Sequence, residues 1–250
     1  MAPGLTPAAK IDAMQTMIER LMDKDWDKVA DDLHARGYAL LPQVLSREEC
    51  TDLITSYEDP GSYRKTIRME RYRFGQGEYK YFRYPLPALV QDIRSTVYPC
   101  LAPVANRWME VLGQERRYPA AHAALLETCR DRGQDQPTVL ILQYGEGGFN
   151  TLHQDLYGEV YFPLQLVLFL NEPGEDYTGG AFVLTEQVPR AQSKANVLTT
   201  RRGDMLVFTT NFRPVRGSRG YYQAHIKHGV SPVETGQRHT LGIIFHDALS

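Results

Sequence analysis

"QYGEGGFNTLHQD", residues 143–155, ends in a histidine and an aspartate two positions apart. In an extended strand, side chains at i and i+2 stand on one face, so His153 and Asp155 can converge on a single point. So short a pair is also common at solvated strand ends. Its meaning therefore rests on what the rest of the chain places beside it.

The surroundings are those of a β-structure. From Pro137 onward, "TVLILQY", "PLQLVLFLN", "GAFVLTE", "DMLVFTT" and "HTLGIIFH" are short apolar runs separated by Gly, Asn, Asp and Pro. Gly179 and Gly180 predict a turn before one of them. Short strands with no helices between them predict an antiparallel barrel or jelly roll.

Upstream the pattern is helical. Thr6 and Pro7 form a cap and first-turn pair ahead of Ile11, Met14, Ile18, Leu21 and Met22 at helical spacing. "WDKVADDLHARG" predicts a second helix ending at Gly37, and "YALLPQVL" a short strand. Ser46 and Glu49 form a capping box that opens the helix "REECTDLITSY". Further helices are expected over 87–112 and 120–130, and the polar stretch "RDRGQDQP", 130–137, is expected as a hinge. The expected fold is thus mainly β with N-terminal helices. A helical or mixed region, residues 1–136, would pack on a jelly-roll core, residues 137–250.

Bulk composition narrows the function little. Lys and Arg number 28 against 30 Asp and Glu, so whole-chain charge neither selects nor excludes nucleic acid. Cys50, Cys100 and Cys129 lie far apart without a CxxC, which excludes a zinc knuckle and disfavours a disulfide framework. The start lacks a continuous apolar run, and no stretch approaches the roughly 20 apolar residues of a membrane span. A cytoplasmic protein without signal peptide or membrane partner is expected.

If His153 and Asp155 hold a metal, a further ligand is needed. Two histidines and one carboxylate on one face of an ion leave three adjacent coordination positions. That set suits non-haem Fe(II) that also binds a bidentate cosubstrate and O2. His225, His228, His239 and His246 are the candidates. "HGVSPVETGQRHT" selects His228, because Arg238 follows ten residues on, after a turn at Gly236. A buried arginine there can hold a distal carboxylate through a two-pronged charged hydrogen bond. Thr240, on the same strand face, can add a hydroxyl, although it can equally be a β-former. Tyr144 can donate its phenol to the same carboxylate or serve as a core aromatic. His225 and His239 are expected to face away, and Gln154 to point away from the metal.

These residues together resemble the Fe(II)/2-oxoglutarate-dependent dioxygenases. The family motif His-x-Asp…His…Arg is matched by His153, Asp155, His228 and Arg238 within residues 137–246, and "ARGYALLPQVLSREECTDL" is similar to the entry segment. The resemblance implies a double-stranded β-helix, Fe(II), 2-oxoglutarate as cosubstrate, and O2. It implies hydroxylation of a C–H bond with release of succinate and CO2. "QYGEGGFNTLHQD" is most similar to AlkB-like nucleic-acid dealkylases, whereas "TGGAFVLTE" and "HGVSPVETGQRHT" resemble prolyl-hydroxylase-type members. The whole chain is similar to a bacterial group of oxygenases suggested to act on damaged nucleic acid. One departure is Ile244, where AlkB-like enzymes carry a second arginine. Asp155, in place of Ala or Gly, argues against a halogenase.

For the substrate, "YRKTIRMERYRFGQGEYKYFRY", residues 63–84, interleaves seven basic residues and seven aromatics with two acids. Arg71, Arg73, Tyr79 and Tyr81 are candidates to follow a phosphate backbone and stack on bases of alkylated single-stranded nucleic acid. Arg213 and Arg216 are expected in a loop before the distal histidine, bordering the site. The plainer expectation is a solvated hairpin at "FGQGEYKYF" whose tyrosines pack on the barrel. A protein or small-molecule hydroxylase and a non-catalytic jelly-roll binding module are the alternatives.

Overall fold

The computed structural model describes residues 16–249, so the cap at Thr6 and Pro7 and the spacing at Ile11 and Met14 lie outside the described residues. Helix α1 (Met17–Met22) opens on a capping box between Thr16 and Glu19. Helix α2 (Trp26–Arg36) stops at Gly37, whose φ of 78° is left-handed and open to glycine without a steric penalty. Strand β1 (Tyr38–Leu41) follows, then α3 (Arg47–Ser56) with the expected box between Ser46 and Glu49. Strands β2 (Tyr63–Arg68), β3 (Gly75–Gln76) and β4 (Glu78–Phe82) precede the long α4 (Ala88–Val111) and α5 (His122–Arg130).

The remainder is strand. Beyond β5 (Leu140–Tyr144), β6 (Phe149–His153) and β7 (Leu164–Phe169) come β8 (Tyr177–Gly179), β9 (Phe182–Gln187) and β10 (Lys194–Leu198). Then follow β11 (Met205–Thr209), β12 (Phe212–Gly217), β13 (Gly220–Val230), β14 (Val233–Gly236) and β15 (Arg238–Ile244). The larger sheet runs β1-β11-β7-β15-β5-β4-β2, and the smaller β10-β9-β13-β6-β3 with β12 beside β13. All the strand pairings in these two sheets are antiparallel. This is the mainly β, jelly-roll architecture expected, with the helices packed on its larger sheet. Strands from both sides of residue 136 share that sheet, since β1 pairs with β11 and β4 with β5.

The apolar runs are continuous because the central strands are covered on both faces. Successive side chains alternate between two cores. In β7, Leu164, Leu166 and Leu168 join the cluster under α4, where Val90, Ile93, Val97, Leu101 and Trp108 are buried. Val167 and Phe169 join a second cluster inside the barrel with Tyr144, Phe182, Leu184 and Phe208. Strand β15 sorts likewise: Leu241 and Ile243 face the helices, and Thr240, Gly242 and Ile244 line the barrel interior. Its far end is tied down by the buried Arg94, which bonds Asp247 at 2.7 Å and the carbonyls of Ile244 and Phe245 at 3.1 Å.

Two local expectations are corrected. "FGQGEYKYF" is not a hairpin: β3 pairs with β6, while β4 lies between β2 and β5. Gly75 permits the switch between sheets, with φ of 143° and a backbone so close that a Cβ would sit 2.2 Å from the Phe149 carbonyl oxygen. The Arg213–Arg216 segment is not a loop but one strand of the β12–β13 hairpin, with Phe212 opposite His225 and Gly217 opposite Gly220.

Candidate metal centre

His153 ends β6 and His228 lies directly opposite it in β13, so the register of the smaller sheet alone brings the two imidazoles together. Their ring centroids are 4.2 Å apart. Asp155, two residues past the strand end, turns one oxygen to each: Oδ1 is 3.5 Å from His153 Nε2, and Oδ2 is 3.2 Å from His228 Nε2. One ligand atom from each residue falls within 4.8 Å of the others, a set able to hold a metal ion.

The supporting contacts fix these atoms. His153 Nδ1 lies 2.8 Å from the Thr151 carbonyl, so it carries the proton and leaves Nε2 as the available lone pair. Tyr157 donates its hydroxyl to Asp155 Oδ1 at 3.1 Å and accepts from Tyr81 at 3.2 Å. Phe182 stacks on the His228 ring and Phe208 meets it edge-on. Burial disfavours the charged Asp155 carboxylate, but the adjacent His228 and His153 outweigh it and hold the carboxyl below its usual range. Burial, and then the neighbouring His153, pushes the His228 pKa down against the pull of Asp155, and this favours the neutral ring. A deprotonated oxygen and neutral nitrogens are what a cation requires.

The centre opens on a cavity of about 280 Å³. Its wall follows the inward rows of the larger sheet: Tyr79, Leu142 and Thr240 in one register, and Tyr81, Leu140 and Gly242 in the next. Beyond the first row, Arg238 lies opposite Tyr144. Arg238 is 1% exposed, yet its Nε and Nη1 have no hydrogen-bond partner. The rings of Tyr144, Phe169 and Tyr177 lie 5.6–6.0 Å from it. A buried guanidinium without a partner calls for an anion, and a carboxylate matches its fork. Gly180, at φ of 57°, makes room for this side chain, because a Cβ there would meet Arg238 Cδ at 2.9 Å. Thr240 faces the same cavity, and the buried Tyr144 hydroxyl accepts from Asn150 at 3.3 Å.

A family model described as "Oxygenase, catalysing oxidative methylation of damaged DNA", Oxygenase-NA, matches residues 77–248. The chain belongs to this oxygenase family. Membership makes it an enzyme and sets aside the non-catalytic binding module. Two curated relatives of this Oxygenase-NA member are the uncharacterized proteins Rv2227 and MT2286 of Mycobacterium tuberculosis strains H37Rv and CDC 1551. Each is 45% identical over 167 residues, 67% of this chain and 72% of the relative. Among solved structures, a Pseudomonas putida prolyl-4-hydroxylase superposes with a TM-score of 0.54 at 15% identity, covering 89% of this chain and 98% of that one. A 2OG-Fe(II) family oxidoreductase from Burkholderia pseudomallei gives 0.50 at 14%, covering 90% and 94%. At such identities these neighbours establish the fold, that of 2-oxoglutarate oxygenases. No helix among the described residues is long and apolar enough to cross a membrane.

The other expected residues of this Oxygenase-NA chain divide. Tyr79 and Tyr81 line the cavity, whereas Arg71 and Arg73 are exposed and outside its lining, Arg71 facing a separate surface pocket with Glu70 and Gln143. Arg213 and Arg216 do not reach it. They face a separate pocket with Asp31, His34 and Trp108, where Arg213 is held by Glu186 at 2.8 and 3.0 Å. Gln154 borders the cavity, but its side-chain amide is engaged, donating to the Asn211 and Ile226 carbonyls. His225 is exposed, and His239 is bound between Asn171 and Gln143. His246 is buried on the Phe162 N–H. Sequence reasoning missed Tyr157 and the cavity-facing Gln165. Tyr157 continues the i, i+2 spacing of His153 and Asp155, which was its one available signal.

Proposed function

We propose that the chain is an Fe(II)- and 2-oxoglutarate-dependent oxygenase that hydroxylates N-methyl groups of alkylated nucleic acid. His153, Asp155 and His228 would hold Fe(II). Arg238, with Tyr144 and Thr240, would hold the distal carboxylate of 2-oxoglutarate. Bound iron, 2-oxoglutarate and O2 together supply oxidation of a substrate C–H bond, with succinate and CO2 as co-products. Hydroxylation of an N-methyl carbon leaves a hemiaminal, which loses formaldehyde and restores the N–H.

The observation that carries the cosubstrate assignment is the buried Arg238 guanidinium without a partner, at one end of the rows that wall the metal cavity. The protein's own part is positioning. The Thr151 carbonyl orients His153, Tyr157 orients Asp155, and the apolar wall of Leu140, Leu142, Phe182 and Phe208 excludes water. The family description supports damaged DNA as the substrate class, and the exposed Arg71 and Arg73 are compatible with phosphate.

Succinate release is the test. Turnover of methylated oligonucleotides should depend on Fe(II) and 2-oxoglutarate, yield formaldehyde and vanish in His153→Ala and Asp155→Ala. Coupled turnover on peptides or metabolites, with none on methylated nucleic acid, would reassign the substrate.

A further inference from the structure

Tyr72 and Phe74 are stacked on each other at the surface, with centroids 5.5 Å apart and planes within 18°. They are 53% and 46% exposed, which is unusual for two large rings that could have been covered by the adjacent barrel. Phe74 lines the metal cavity alongside His153 and Asp155. It also lines a second cavity of about 220 Å³, together with Tyr72, Arg64 and Lys65. Phe74, Tyr79, Tyr81 and Tyr157 belong to both cavities, so an aromatic partition separates the metal centre from an outer, basic compartment.

The segment is held rigidly. The Phe74 carbonyl accepts from both the N–H and the hydroxyl of Thr151 at 2.8 Å, two residues before the metal-facing His153. Gly75 and Gln76 then pair with Asn150 and Phe149 of the same strand. Arg73, between the two rings, takes a left-handed φ of 59°, a conformation that a long side chain adopts only where its surroundings impose it. The two acids of the segment are already engaged. Glu70 accepts the Gly77 N–H at 3.1 Å, and Glu78 accepts the Tyr57 hydroxyl at 2.9 Å and lies 3.6 Å from Arg68. Lys65 lines the outer cavity with Tyr72 and Phe74, and Arg71 and Arg73, on either side of Tyr72 in the chain, are exposed.

From this arrangement we infer that Tyr72 and Phe74 form a stacking platform for a base of single-stranded nucleic acid next to the one entering the metal cavity. Lys65, which lines the outer cavity with both rings, and the exposed Arg71 and Arg73 follow its phosphates, while Arg64 is held by the Pro137 carbonyl and the Tyr81 ring. The inference rests on the nucleic-acid reading of the substrate and adds a second binding site to it. Rings offer every base a π-face and basic side chains offer every phosphate a partner, so the platform binds by strand form rather than by sequence.

Fluorescence anisotropy separates the two readings. The probes are a labelled mixed-sequence single-stranded DNA and the same backbone with every base removed, titrated at low salt with the full chain and with Tyr72→Ala/Phe74→Ala. The wild type is expected to bind the base-bearing strand about tenfold more tightly than the abasic one. The double variant should lose that preference while keeping its affinity for the abasic strand and for 2-oxoglutarate. If the variant keeps the preference, or the wild type shows none, the platform is wrong while the nucleic-acid reading stands. If the wild type binds neither strand, both fall together.

Discussion

Tyr157 donates its hydroxyl to Asp155 at 3.1 Å, on Oδ1, the oxygen that faces His153. The same phenol accepts from Tyr81, so the carboxylate is braced from the cavity wall rather than from its own strand. Bracing of this kind typically governs metal affinity by 10- to 100-fold. Tyr157→Phe is therefore expected to weaken Mn(II) binding about tenfold, with an unchanged far-ultraviolet circular dichroism spectrum. Wild-type affinity in that variant would remove Tyr157 from the centre.

Arg238 makes the ligand-free protein carry an unpartnered buried charge. Arg238→Met should thus not lower the melting temperature without ligand and is expected to raise it. In the wild type, saturating 2-oxoglutarate should raise the melting temperature by mass action, and in the variant it should not. Losing a buried charged pair costs about 2–5 kcal/mol, so the half-saturating 2-oxoglutarate concentration should rise at least about 30-fold. Metal affinity should stay put.

Gly180 supports the same side chain from behind. Gly180→Ala introduces a Cβ 2.9 Å from Arg238 Cδ and from Val233 Cγ2, at a φ of 57° that alanine disfavours. The variant is expected to lose about 1–3 kcal/mol of stability and to bind 2-oxoglutarate more weakly. Denaturant titration and ligand-induced melting shifts measure the two effects separately.

Buried histidines outside the metal centre should contribute acid sensitivity of their own. Burial, then the Arg94 guanidinium, pushes His122 and His246 down to about 3, and burial with Arg238 pushes His239 down to about 4. Unfolded histidine titrates near 6.5, so below that pH the unfolded chain takes up protons that the native one refuses. Their contribution is complete above about 6.5 and is lost as pH falls toward 4, at up to about 1.4 kcal/mol per pH unit for each histidine. His246→Asn keeps an acceptor for the Phe162 N–H and should flatten the slope. A stability flat between pH 6.5 and 4.5 would contradict this.

Much of the architecture was legible in the sequence for a simple reason. The strands that pack on both faces, such as Leu164–Phe169 and Met205–Thr209, show as unbroken apolar runs, and the caps at Ser46 and Gly37 are local chemistry. The pairing of His153 with His228 was anticipated by residue type and by the arginine ten positions on, and the register across β6 and β13 places them face to face. What escaped was non-local. Pro214 and the arginines of Phe212–Gly217 mimic a loop, yet the strand forms because β13 is there to pair with it. Gly75 and Gly77 mark a chain that crosses between sheets, which no local pattern distinguishes from a turn. Tyr157 lies beyond the end of the strand, where alternation no longer constrains direction.

The most direct measurement is a titration of the purified chain with Mn(II), followed by electron paramagnetic resonance with and without 2-oxoglutarate. One ion per chain should bind, its signal should change when 2-oxoglutarate is added, and binding should be lost in Asp155→Ala and His228→Ala. A wild type that takes up no ion, or variants that take it up as tightly as the wild type, would contradict a metal held by His153, Asp155 and His228.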